Sequence, residues 1–145
     1  MKQRMNYAQE YPEAYQAMLG LEQFVKQSGL STTLLELVKL RASQINGCAF
    51  CLNMHARDAR KYGETEQRIY LLNAWREAPI YSPSERAALA LTEAVTRIAE
   101  GGVPQEIYDE AAYHFNGKEL TALLMAINAI NCWNRLAVAT GMIPD

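Results

Sequence analysis

The sequence predicts an all-α fold, and three observations carry that prediction. No stretch alternates apolar and polar residues for long enough to make a half-buried strand. Turn residues arrive at helix-length intervals, at Ser28-Gly29, Asn46-Gly47, Gly63, Gly101-Gly102 and Gly141. Between them apolar residues recur at i, i+3 and i+4, as Leu34, Leu35, Val38 and Ala42 do.

The elements follow in order. A first helix is expected from Glu10 to about Lys26, stopping at Ser28-Gly29. Ser31 is a good N-cap for a second, Thr32 to about Gln44, which Asn46-Gly47 breaks. A third starts at or near Cys48 and runs to about Tyr62, with Gly63 after it. A short helix covers Glu66 to Asn73, and Trp75 to Tyr81 forms a loop. Ser82-Pro83-Ser84-Glu85 is a strong helix start: a cap, a proline suited to the first turn, and a glutamate to complete a capping box. That helix runs to about Ala99 and ends at Gly101-Gly102. Pro104 opens another, to about Tyr113. Asn116-Gly117-Lys118-Glu119 caps the last, Lys118 to about Thr140. This last helix is apolar around most of its circumference, which places it centrally in a core or in an interface. Asn128, Asn131 and Asn134 interrupt it at spacing three and are expected to be satisfied polar groups of a core or subunit contact.

A chain of 145 residues, half of them hydrophobic and 21% charged, fits one globular domain spanning 1–145. The net charge of -2 and the lack of a Lys/Arg stripe argue against nucleic acid as a partner. The start, Met1-Lys2-Gln3-Arg4-Met5-Asn6, has no apolar secretory segment, and no uninterrupted apolar run reaches the length of a membrane span. The expected setting is cytoplasmic.

Chemistry concentrates in one run, Cys48-Ala49-Phe50-Cys51-Leu52-Asn53-Met54-His55. On a helix, Cys48 and Cys51 are related by i,i+3 and Cys51 and His55 by i,i+4, so all three share a face. In a reducing compartment a C-x-x-C is redox-active or metal-binding rather than a permanent staple. One thiolate can attack a peroxide or disulfide while the other resolves the product. A position in the first helical turn favours the Cys48 thiolate, whereas the spacing to His55 favours Cys51. The Asn46-Gly47 turn makes an antiparallel hairpin, in which Glu36 comes opposite His55 as its orienter. Ser43, seven residues after Glu36, projects nearer the corner and could hold a bridging water. A zinc site from Cys48, Cys51, His55 and Glu36 is the rival reading, although no second ligand pair exists. Cys132 is expected to be a small buried hydrophobe, and His114 a surface or packing residue.

At these residues the chain resembles the alkylhydroperoxidase D-like (AhpD-like) family of the carboxymuconolactone decarboxylase-like superfamily. The pattern is Glu36, then Cys48-x-x-Cys51, then His55, and Leu34 to Gly47, Trp75-Arg76 and Ser84 to Ala90 also look like the family. The resemblance spans about residues 10 to 141. It implies an AhpD-like helical bundle with the C-x-x-C at the N-terminus of a central helix, assembled as a homo-oligomer, commonly a trimer or hexamer. It implies hydroperoxide reduction through a Glu36–Cys48–Cys51–His55 proton relay without a bound cofactor, with electrons from an external dithiol or lipoyl-protein reductant. It also implies that Cys51 attacks peroxide and Cys48 resolves. The alternatives are a non-catalytic redox-sensing or zinc-binding oligomer, or a decarboxylase-like enzyme, a branch that does not depend on a C-x-x-C pair.

Overall fold

The computed structural model describes residues 2–145, and every regular element among them is helical. The expected first helix is two: α1 (Tyr7–Glu10) and α2 (Pro12–Lys26). The ring of Pro12 drives the preceding residue out of the helical region, and Tyr11 sits at φ -145°, ψ 82°. Asn6 caps α1 by accepting the Gln9 N–H at 3.4 Å.

α3 (Thr32–Asn46) begins where Ser31 Oγ accepts the Leu34 N–H at 3.2 Å. Gly47, left-handed at φ 63°, ends it, and the Cys48 N–H turns back to Ser43 O at 3.0 Å. α4 (Ala49–Lys61) follows at once, so Cys48 is its N-cap rather than a residue of its first turn. α5 (Glu66–Tyr70) is shorter than expected, because its continuation tightens into a 3-10 turn, Leu72–Ala74. The Ser82–Glu85 capping box is present at the start of α6 (Pro83–Thr96). α6 stops short of Ala99, since Arg97 leaves the helical region and Ile98–Glu100 form a second 3-10 turn. Pro104 occupies the N-cap position of α7 (Gln105–His114) without a side-chain cap, and Asn116 and Glu119 form a capping box at the start of α8 (Gly117–Thr140).

α3 is the central helix: it packs against α4, α6 and α8, and every residue from Leu34 to Ser43 is buried. α8 is long and apolar enough to cross a membrane by length and composition, which the sequence reading did not anticipate. Half of its most apolar stretch is buried in the fold, against α2, α3 and α6 among others. Cys132 departs from its expected burial, since α8 turns that position outward and the thiol is exposed in the isolated chain. Asn128 is likewise exposed, while Asn131 and Asn134 are buried and bonded.

Burying α3 all round puts its charged residues indoors, where each needs a partner. Arg41 Nε donates to Glu93 Oε1 at 2.8 Å, and Trp75 Nε1 donates to the same oxygen at 2.9 Å. Arg76 Nη1 reaches Glu93 Oε2 at 2.6 Å. Burial alone would raise Glu93, but the hydrogen bonds from Trp75, Arg76 and Arg41 hold it below the usual carboxylate range. The Trp75-Arg76 loop is therefore fastened to the core.

Candidate active site

The α3–α4 corner positions the thiols. Cys48, in extended conformation at the N-cap, points its sulfur over the first turn, where Sγ accepts the Cys51 N–H at 3.4 Å. Both thiols are free and about 1% exposed, packed with Ala42, Ile130 and Ala137. Partly buried Phe50, Trp133 and Met142 cover them. Two amides of this region are fixed across the bundle: Asn46 Nδ2 donates to Asn131 Oδ1 and Asn134 Oδ1, both at 2.9 Å.

The two thiols share one proton unequally. Cys48 is lowered to about 6, chiefly by the hydrogen bond from the Cys51 thiol; the Cys51 N–H, the Asn134 amide and the His55 charge add to this against burial. Cys51 is raised, first by that same thiol–thiol bond and then by burial. The hydrogen bonds therefore favour a thiolate on Cys48 over one on Cys51.

Across the hairpin, His55 Nδ1 lies 2.9 Å from Glu36 Oε2, with both residues buried. A carboxylate in this position accepts the Nδ1–H and leaves Nε2 as the basic nitrogen. Nε2 makes no hydrogen bond to any described residue, and His55 borders a cavity of about 720 Å³. Lys39 Nζ is 2.8 Å from Glu22 Oε1 and 3.6 Å from Glu36 Oε1. Trp133 Nε1 donates to Glu22 Oε2 at 3.1 Å. Aromatic rings also line the cavity: Tyr7 and Tyr15 are tilted at 54° with centroids 6.3 Å apart, and Tyr15 meets Trp133 edge to face at 6.0 Å.

Of the residues singled out in the sequence, Glu36 and His55 are joined and Cys48 and Cys51 are joined. Ser43 is placed differently from its expectation. Its hydroxyl donates to Lys39 O at 2.7 Å and accepts from Asn134 Nδ2 at 3.0 Å, so it orients the amide beside the thiols rather than a water at Glu36. The four-ligand zinc set is not assembled either: among the described residues the compact metal-competent group is Glu36, His55 and Asp58, without a thiol. Within it Glu36 Oε2 and His55 Nδ1 already face each other, and the Lys39 ammonium holds the other Glu36 oxygen. Sequence reasoning passed over Lys39, Glu22, Tyr7 and Asn134 as parts of the site. A signal existed for Lys39: a cation one turn from Glu36 in an otherwise apolar run must be paired if that run is buried.

Comparison with known proteins gives a consistent picture. The model of the Carboxymuconolactone decarboxylase family matches residues 10–94. The uncharacterized protein YdfG of Bacillus subtilis (strain 168) is 48% identical over 141 residues, covering 97% of this chain and 96% of that one. A crystal structure from Agrobacterium tumefaciens, of unknown function and suggested to be the antioxidant defence protein AhpD, is 46% identical. It superimposes with a TM-score of 0.97 over 99% of both chains. An uncharacterized peroxidase-related protein from Silicibacter sp. TM1040 is 25% identical, with a TM-score of 0.81 over 92% of this chain and 71% of that one. With its all-helical fold and its Glu36, Cys48, Cys51 and His55 pattern, the chain belongs to the carboxymuconolactone decarboxylase family, as an AhpD-like member.

Proposed function

We propose that this protein is a thiol-dependent hydroperoxidase and disulfide reductase that cycles Cys48 and Cys51 between dithiol and disulfide. The observation that carries the reading is two pairs on the α3–α4 hairpin: two buried thiols at the N-terminus of α4, with Cys48 lowered, and, four residues after Cys51 on the same helix, a histidine oriented by a carboxylate. The antioxidant and peroxidase-related descriptions of similar structures support the same class of chemistry.

The chemistry follows from the charges. The Cys48 thiolate attacks the terminal oxygen of a hydroperoxide; the O–O bond breaks, sulfur is oxidised to the sulfenic acid, and the alkoxide takes a proton to leave as the alcohol. Cys51 then loses its proton, with His55 Nε2 as the base, and its sulfur attacks the sulfenic sulfur. The disulfide forms, and the hydroxide that leaves is protonated to water. An external dithiol, a lipoyl-bearing protein being one such donor, returns two electrons and two protons by thiol–disulfide exchange. The assignment of first attack to Cys48 departs from the order that the family resemblance implies, and rests on its N-cap position, where Sγ accepts the Cys51 N–H and a thiolate is favoured. We further propose a homo-oligomer; exposed Phe24, Ile98, Tyr113 and Val138 supply apolar surface for subunit contacts.

The test is thiol counting by mass spectrometry after alkylation, before and after one equivalent of cumene hydroperoxide. Loss of two thiols, with Cys48 linked to Cys51 and recovery by a dithiol, is the expected result. Unchanged thiols overturn the peroxidase reading. Trapping the sulfenic acid with dimedone in Cys51→Ala rather than in Cys48→Ala fixes the order of attack.

A further inference from the structure

The Glu36–His55 pair does not stand alone in the bundle. Lys39, one turn along α3 from Glu36, is enclosed with its side chain 5% exposed, and reaches two carboxylates from two helices. Glu22 of α2 holds it at 2.8 Å, and Glu36 lies at 3.6 Å on its other side. Glu22 is itself fixed by the Trp133 indole, and is kept below the usual carboxylate range by Lys39 and Trp133 against the burial that raises it. The result is a row of alternating charge, Glu22, Lys39, Glu36, His55, along one wall of the cavity.

We infer that Lys39 is a positioning residue for the His55 base: it holds Glu36 as a charged acceptor for the His55 Nδ1–H, which fixes Nε2 as the free nitrogen of the neutral ring. The inference rests on the reading of His55 as the base. It follows from what the two Glu36 oxygens face. Oε2 faces His55 Nδ1, and Oε1 has the Lys39 ammonium as its cation. Without that ammonium, Glu22 and Glu36 become two enclosed carboxylates with no cation between them. Such a pair takes up a proton. A proton on Glu36 removes the acceptor that fixes the tautomer, and a proton on His55 removes the base. Other groups near the row do not replace Lys39. Lys26 from α2, Tyr7 from α1, and Asp58 and Tyr62 from α4 border the cavity, but no ion pair joins any of them to Glu36 among the described residues.

The chain has two histidines, so ¹⁵N imidazole spectra are readily assigned, with His114 as internal reference. In its neutral form the wild-type His55 ring is expected to show Nε2 as the unprotonated nitrogen and Nδ1 as the protonated one. Lys39→Met, similar in length, should lose that signature. It should also slow peroxide-driven thiol loss by about tenfold or more without changing the half-saturating peroxide concentration. Lys39→Arg should restore both. A Lys39→Met protein that keeps the signature and the rate overturns the inference, as does a Lys39→Arg protein that folds but fails to restore them. If Lys39→Met does not fold, Lys39→Gln removes the charge while keeping a polar side chain between Glu22 and Glu36, and should shift both readouts in the same direction; no shift there also overturns it. Wild-type thiols inert to peroxide would sink the peroxidase reading alone, since the His55 signature needs no turnover.

Discussion

His55 and Glu36, 19 residues apart in sequence, meet at 2.9 Å because a single left-handed glycine, Gly47, folds α4 back along α3. The contact makes His55 directional. Glu36→Gln retains the shape but offers an amide donor as well as an acceptor, and His55→Ala removes the base. Each should reduce the single-turnover rate of peroxide-driven disulfide formation by about 100-fold. The double variant should be little worse than either, because the two residues act as one unit. Rapid-quench alkylation measures all three.

Cys48 should be alkylated by iodoacetamide with a midpoint at pH about 6, the rate falling as the thiolate is protonated below it. Cys51→Ala removes the largest cause of that lowering, so its midpoint should move upward. A midpoint that stays put, or moves down, contradicts the shared-proton description.

Asn134→Ala takes a donor from Ser43 Oγ and leaves the Asn46 amide with one acceptor fewer. Loss of about 1–3 kcal/mol in urea unfolding is expected. The Cys48 midpoint should also rise, because the Asn134 amide is one of the groups stabilising the thiolate. Both effects together would distinguish it from a purely structural core amide.

Glu93→Ala provides the contrast. It strands the buried Arg41 and frees Arg76 and the Trp75 indole, and should destabilise the fold by about 3–5 kcal/mol. The Cys48 alkylation midpoint should not change, because Glu93 is not among the groups that set it. Thermal unfolding and alkylation on the same sample separate the two.

The helices were legible where capping chemistry is local. Ser31, the Ser82–Glu85 box and Asn116 each bond within their own first turn, so their spacing alone locates them. What escaped was tertiary. Pro12 signals a break in principle, but α1 exists because Asn6 caps it, in a segment whose Arg4 N–H bonds Thr140 O at the far end of the chain. Cys132 was misplaced because the last helix is apolar on nearly every side, and periodicity does not say which side faces out. The thiol pair and His55 lie close in sequence and could be read directly. Glu22, Trp133 and Tyr7 join the site from α2, α8 and α1, and no spacing rule reaches that far.

A buried row of alternating charges also bears on how this protein would respond to selection for heat tolerance. Replacing a complete enclosed ion group with well-packed apolar residues is often neutral or stabilising by about 1–4 kcal/mol, whereas removing one member is damaging. Glu22, Lys39, Glu36 and His55 form such a group on α2, α3 and α4. Variants enriched by thermal challenge alone would therefore exchange these four residues jointly for apolar ones, and robustness would be gained by erasing the base.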